Sequence, residues 1–166
     1  MLFNIMKLLY QKLYANIAII VLLLVYLQPV QAQEMALVPK ERMTLMQYVM
    51  QERPVLAGLI TKAGLTPMLS DKELYTVLAP PEAELTALQQ LAPARLRAVI
   101  SNHILKGAYL EKDLKDGSTV ETVAQTKLNI FRKKDHTLVD GVRIESANTQ
   151  VENGVLHGLS GKLTLE

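Results

Sequence analysis

Few side chains in this sequence are suited to catalysis or metal binding. The chain has three histidines and no cysteine, which excludes thiolate nucleophiles and thiolate metal ligands. His103, His136 and His157 show neither the i, i+4 pairing nor the carboxylate–histidine motif of metal sites. Residues 158–161 (Gly-Leu-Ser-Gly) are one residue short of a nucleophile elbow and lack a strand–turn–helix context. We therefore expect no catalytic residue, no metal site and no cofactor.

The elements that hold these side chains are predicted to be helical in the first half of the chain. Thr44 is expected to cap a helix that runs through Gln51. Pro54 opens a second helix, and Gly64 stands where a C-terminal cap is expected. Residues 74–79 are mostly apolar strand formers, which predicts a strand covered on both faces.

Two further helices are predicted to begin at Pro81 and Pro93. In the second, His103 continues an apolar stripe at helical spacing. An imidazole on such a face is more often a hydrogen-bonded core residue than a metal ligand or a catalytic group. We therefore favour a structural role for His103 and keep ligation or catalysis as the alternative.

From residue 104 onward the hydrophobic period changes to two. The dipeptides at 116–117, 140–141 and 153–154 (Asp-Gly, Asp-Gly and Asn-Gly) readily adopt positive φ and close hairpins. Residues 155–165 are predicted to form a long strand or a strand pair. Helices followed by strands favour an α+β fold, with a helical N-terminal half packed on a largely antiparallel sheet.

The first 32 residues have the features of a secretory signal. Lys7 and Lys12 precede an apolar run at 17–27, and the residues up to Ala32 fit a signal-peptidase site. Export predicts a secreted, periplasmic or cell-surface protein. An uncleaved membrane anchor is the alternative, although the apolar run is short of the roughly 20 residues that cross a bilayer.

Removal of residues 1–32 would leave an electrically neutral chain. The full sequence has 18 basic and 16 acidic residues, and the predicted signal contains two lysines and no acidic residue. A nucleic-acid binder needs a basic excess, so no nucleic-acid partner is expected, and a membrane is a partner only if the signal is retained. Residues 33–42 are predicted to be a flexible lead. An exported chain without cysteine favours a bacterial source.

A charged segment separates two strand-like runs in the second half of the chain. Its residues Arg132, Lys133, Lys134 and His136 form a candidate contact loop. A solvated hairpin end is the alternative, and it is favoured because such tips are usually polar.

Three segments together resemble the sequence boxes of the fasciclin domain family. The first is Tyr-Thr-Val-Leu-Ala-Pro-Pro-Glu-Ala-Glu-Leu at 75–85, which has the Thr-x-x-Ala-Pro box with Ala83 in the helix that follows. The others are Asn-His-Ile-Leu-Lys-Gly at 102–107 and Asn-Gly-Val-Leu-His-Gly-Leu at 153–159. The resemblance implies one fasciclin-like domain over 43–166. Its implied motif residues, structural or alternatively in contact with a partner, are Thr76, Ala79, Pro80, Ala83, His103, Gly107, Asn153, Gly154 and His157.

Departures from the family pattern affect contact sites more than the fold. Asn102 replaces the tyrosine that usually precedes the middle histidine, and Gln150 and Val151 replace an Asp-Ile pair. Both sites are linked to integrin recognition in animal members of the family. Their loss makes integrin binding an unexpected property of this chain.

The resemblance implies a function in adhesion. We expect a non-enzymatic extracellular or envelope module that contacts a protein or glycan at the cell surface or matrix, homophilic contacts included. The alternative is a small-molecule or glycan binding protein of the envelope. That alternative requires a concave apolar pocket with a few convergent polar groups.

Overall fold

The computed structural model describes residues 6–7 and 43–164. The predicted signal at 1–32, apart from Met6 and Lys7, and the lead at 33–42 lie outside the described residues. Residues 43–164 belong to one compact unit. Its elements in chain order are α1 (Leu45–Glu52), α2 (Pro54–Lys62), α3 (Thr66–Ser70), β1 (Tyr75–Ala79), α4 (Glu82–Leu88), α5 (Pro93–Asn102), β2 (Ile104–Lys106), a 3-10 turn (Glu111–Asp113), β3 (Thr119–Glu121), β4 (Lys127–Arg132), β5 (Thr137–Val139), β6 (Val142–Val151) and β7 (Gly154–Leu159).

The helix boundaries follow the local signals in the sequence. Thr44 and Gln47 form a capping box at the start of α1: the Gln47 N–H donates to Thr44 Oγ1, and the Thr44 N–H donates to Gln47 Oε1 at 2.9 Å. Pro54 is the first residue of α2, where its missing N–H costs nothing. Gly64 follows α2 with φ of +68°. These predictions are confirmed.

The strands form one sheet in the order β2-β1-β7-β6-β5-β4-β3. Only β1 and β7 run parallel among these strands, so the predicted α+β fold with a largely antiparallel sheet is confirmed. The two outer strands also meet. A bridge pairs Leu105 with Thr122, and the Val123 N–H donates to Ile104 O at 2.7 Å. The sheet therefore closes into a ring, which removes much of the open edge that a foreign strand could extend.

The closed sheet separates two apolar cores. The helices pack on its outside around β1 and β7, and a second cluster fills its inside. Strand β1 contributes to both, since Val77 and Ala79 lie in the outer cluster and Leu78 in the inner one. The prediction of a strand covered on both faces is confirmed.

The predicted strand at 155–165 is wrong beyond Leu159. Residues 160–164 form a turn and irregular structure instead of continuing β7. The Ser160 N–H still donates to Arg143 O on β6, but the Leu163 N–H donates to the His103 ring at 3.0 Å. The segment after β7 is therefore held by the buried His103 ring and not by a neighbouring strand at Leu163.

Candidate functional site

His103 closes the C-terminal end of α5 and is 2% exposed. Its Nδ1 donates to Val99 O at 2.9 Å, and its Nε2 accepts from the Leu163 N–H. This pair of bonds requires a neutral ring with the proton on Nδ1. Burial lowers the pKa of His103, against a smaller opposing effect of the Val99 hydrogen bond. The ring thus joins α5 to the C-terminal segment and leaves no nitrogen for a metal.

His157 lies on β7 and is fully buried. Its Nε2 donates to Tyr109 O at 2.9 Å, and its Nδ1 accepts from the Asn148 N–H at 3.1 Å. Burial lowers the pKa of His157, although the Tyr109 hydrogen bond and the charge of Glu111 act in the opposite direction. His157 therefore holds two backbone groups that are far apart in the sequence.

The loop after β2 is fixed by the same group of side chains. Thr76 Oγ1 donates to Gly107 O and accepts from the Tyr109 N–H, both at 2.8 Å. Asn148 Oδ1 accepts from the Glu111 N–H at 2.7 Å. Asn148 itself has φ of +64° where the β6 register shifts, so its conformation depends on these bonds. No pattern in the sequence indicates the roles of Tyr109 and Asn148, because these contacts span dozens of residues.

Asn153 is a second junction. Its Oδ1 accepts from the Leu45 N–H at the start of α1, at 2.6 Å. Its Nδ2 donates to Leu69 O at 3.0 Å and also to Asp71 O. The side chain is 2% exposed, so all its polar atoms face the protein. Asn153 joins α1, the end of α3 and the start of β7.

Gly154 is required by a close approach of two strands. A Cβ at this position would lie 1.9 Å from Tyr75 O and 2.8 Å from Leu45 Cδ1. No rearrangement of a side-chain end relieves a clash with a backbone oxygen. Gly107, the glycine of the middle box, has φ of +99°, which side chains rarely adopt.

The first box ends with three motif residues, and two of them are buried and have a structural role. Ala79 and Pro80 are buried, and Pro80 O accepts a hydrogen bond from the guanidinium of Arg53. Arg53 Nε also pairs with Glu82 Oε1 at 2.9 Å, which fixes the start of α4. Ala83 is exposed on α4. The sequence did not reveal Arg53, because it lies two elements away from the box that it supports.

The two positions that depart from the integrin-linked pattern differ in exposure. Asn102 is 1% exposed, and its Oδ1 accepts from Thr122 Oγ1 at 3.5 Å. Gln150 is exposed, whereas Val151 is buried. A partner could therefore reach Gln150 but neither Asn102 nor His103.

The charged segment forms the hairpin turn between β4 and β5. The Lys133 N–H donates to His136 O at 2.8 Å, and His136 Nδ1 lies 2.8 Å from Asp135 Oδ1. This pairing is the main cause that lowers the pKa of Asp135. Arg132, Lys133 and Lys134 are exposed, and His136 is half-buried. Arg132 Nη1 donates to Glu111 O at 3.3 Å, which links the segment to the loop that Asn148 holds.

The described part of the chain offers little for catalysis or metal binding. Within it, no group of three or more His, Asp or Glu side chains is placed to hold a metal. Every buried side-chain nitrogen or oxygen there has a hydrogen-bond partner. Over the same residues no helix is long and apolar enough to span a bilayer. The motif residues that are buried form the framework of the fold.

Two shallow cavities lie in the part of the surface that the structure describes. One of about 230 Å³ lies between α2 and the end of α4 and is lined by Pro54, Val55, Gly58, Leu59, Lys62 and Gln89. The other, of about 150 Å³, lies at the carboxyl ends of β1 and β7 and is lined by Arg53, Ala79, Pro81, Glu145, Ser146, Gly158 and Leu159. Neither contacts His103 or His157.

The fold and its buried polar junctions define an α+β domain of helices packed on a ring-closed sheet. The family model of the fasciclin domain matches residues 52–164, and this chain belongs to the fasciclin domain family. The resemblance seen in the three sequence boxes is thus confirmed.

Two known proteins show the extent of the likeness. Periostin of Homo sapiens is 24% identical over 129 residues, which cover 75% of this chain and 15% of periostin. A FAS1 domain pair from the insect cell adhesion molecule Fasciclin I superposes with a TM-score of 0.58 at 12% identity. That match covers 74% of this chain and 51% of the other, and it supports the fold. This chain therefore spans about half or less of the proteins that it resembles.

Proposed function

We propose that this protein is a non-enzymatic interaction module of the cell exterior or envelope, which adheres through surface contacts with a protein, glycan or matrix partner. The observation that carries the proposal is the internal use of the buried motif groups. Hydrogen bonds within the chain engage the polar side-chain atoms of four buried motif residues, Thr76, His103, Asn153 and His157. The contacts with a partner are therefore assigned to exposed side chains.

The match to an insect cell adhesion molecule supports the adhesive role, and the closed sheet defines how contact occurs. Because β2 and β3 are bridged to each other, a partner is not expected to bind by adding a strand there. Binding is assigned instead to side chains on the faces and turns. The candidate loop of Arg132, Lys133, Lys134 and His136 is such a turn.

A carrier of small molecules receives less support. Ligand pockets usually enclose about 300 to 1,000 Å³, and they bury most of the ligand. The cavities of about 230 and 150 Å³ are smaller and open to solvent. The structure thus favours surface contact over enclosure of a ligand.

Adhesion can be measured with beads coated with the purified protein. We expect coated beads to attach to cells or extracted matrix of the source organism more than beads coated with an unrelated protein of equal charge. Clustering of coated beads with one another would identify homophilic contact. Absence of attachment to cells, to matrix and between beads would refute the proposal.

A further inference from the structure

The hairpin of β4 and β5 carries an exposed aromatic ring beside unpaired cations. Phe131 is 45% exposed and stands on the outer face of β4, since Leu128 and Ile130 point inward. The strand register pairs Phe131 with Leu138 on β5, and Leu138 with Arg143 on β6. Directly paired residues share a face with Cβ atoms about 5 Å apart. An aromatic, an aliphatic and a cationic side chain therefore form one row across three strands.

Lys133 and Lys134 lie in the turn between β4 and β5, two and three residues after Phe131. We call Phe131, Leu138, Arg143, Lys133 and Lys134 the tip patch. Within the described residues, none of its three cations is in an ion pair. An exposed ring flanked by unpaired cations has no role in the core of the domain.

The acidic groups around the patch are already engaged within the chain. Asp135 pairs with His136 at 2.8 Å, and Glu111 Oε1 accepts from Thr137 Oγ1 at 2.9 Å. Asp116 Oδ1 accepts from the backbone N–H of Arg132 at 2.7 Å. These bonds leave the carboxylates negatively charged, and Arg143 is close enough to contribute to the lowered pKa of Asp135. Within the described residues none of the three carboxylates is in an ion pair with Lys133, Lys134 or Arg143, so these cations can still contact a ligand.

We infer that the tip patch binds an anionic polysaccharide, with the sugar rings on Phe131 and Leu138 and the carboxylates or sulfates on Lys133, Lys134 and Arg143. The C–H face of a sugar ring is apolar and suits an exposed aromatic. Its acidic groups are acceptors for charge-assisted hydrogen bonds from Lys and Arg. This inference rests on the proposed function and specifies the partner.

The shape of the surface favours a polysaccharide over an acidic protein. Protein partners draw most of their affinity from a few side chains that fill pockets. Neither cavity described above is lined by a residue of the tip patch. The patch is an open strip on a sheet face, where a polymer with repeated charges can add up several weak contacts.

The test measures binding of the full-length gene product, as exported, to labelled polygalacturonate by fluorescence anisotropy. Neutral dextran, poly-L-glutamate and anionic phospholipid vesicles are the comparison probes. We expect binding to polygalacturonate that weakens between about 50 and about 300 mM NaCl, because salt screens exposed charges. Dextran should not bind, and the other two probes should bind more weakly.

Variants locate the site. Replacing Lys133 and Lys134 by glutamine should weaken binding about tenfold, which corresponds to about 1.4 kcal/mol. The control, Lys72→Gln with Arg95→Gln, removes the same charge from exposed positions outside the patch. It should leave affinity within about twofold, a difference of about 0.4 kcal/mol. Phe131→Ser should weaken binding while its salt dependence stays.

Several results would overturn the inference. Equal losses in both charge variants would mean a non-specific charge effect. Tighter binding to poly-L-glutamate or to vesicles would mean an acidic protein or a lipid surface. Absence of polygalacturonate binding by a protein whose coated beads still adhere would reject the polysaccharide and leave the proposed function intact.

Discussion

Replacement of His157 by alanine is expected to destabilise the protein severely. The ring is fully buried and holds Tyr109 O and the Asn148 N–H, at 2.9 and 3.1 Å. Alanine leaves both backbone groups without this partner, and a group that water does not reach costs about 1 to 3 kcal/mol. Both bonds are only partly buried and Asn148 is exposed, so the lower end of that range applies to each group. Loss of packing around the ring adds to this cost. We expect the free energy of unfolding to fall by about 3 to 5 kcal/mol.

This loss is large against a typical domain stability of about 5 to 15 kcal/mol. Urea unfolding followed by circular dichroism measures it, with constant m-value as the test that only stability has changed. His136→Ala is the matched control, since that histidine is half-buried and pairs with Asp135 at the hairpin. It should cost less than about 1 kcal/mol.

A small effect of His157→Ala would refute this reasoning. If the free energy of unfolding fell by less than about 1 kcal/mol, the two hydrogen bonds would not be structural. If such a stable variant also lost bead adhesion, His157 would be a contact residue, and the assignment of binding to exposed side chains would be wrong.

Three further predictions test the same framework. Burial lowers the pKa of His103 and of His157 from 6.5, so the unfolded chain binds more protons in acid than the folded chain does. The free energy of unfolding should therefore fall as the pH drops below about 6.5, by up to about 1.4 kcal/mol per pH unit for each histidine. Equal urea midpoints at pH 7.5 and 5.5 would contradict this prediction. Gly154→Ala places a methyl 1.9 Å from a backbone oxygen and should abolish the folded circular dichroism signal or lower the melting temperature by tens of degrees, so a melting temperature near that of the parent would be inconsistent with the close approach. Gly58→Ala lies inside α2 with open space around the new methyl, so the free energy of unfolding should rise by about 0.5 to 1 kcal/mol. The urea midpoint should rise with it, and a lower midpoint would contradict the open space around the methyl.

Local signals explain why much of the fold could be predicted from the sequence. Thr44 and Pro54 mark helix starts through bonds or geometry confined to a few residues. The apolar run at 75–79 needed only its composition to indicate burial on both faces. These interactions depend little on distant parts of the chain.

Contacts across long sequence distances could not be predicted in the same way. The His157 ring donates to Tyr109 O, which lies 48 residues earlier in the sequence. The Leu163 N–H donates to the His103 ring, which lies 60 residues earlier. The bridge of Leu105 with Thr122 closes the sheet without any feature in either segment that predicts it. Side-chain type indicates that a polar group needs a partner, but only the fold determines which partner it finds.

The buried motif residues and the exposed tip patch are separate parts of this domain. Asn153 and His157 join separate segments through buried hydrogen bonds, so substitution there changes stability first. Phe131 and Lys134 lie on a hairpin that makes none of those junction contacts, so substitution there can change binding while the core stays intact. The full chain has a net charge of only +2, and long-range attraction is therefore weak. Under the proposed binding at the tip patch, recognition depends on short-range contacts, for which the row of side chains across β4, β5 and β6 matters more than total charge.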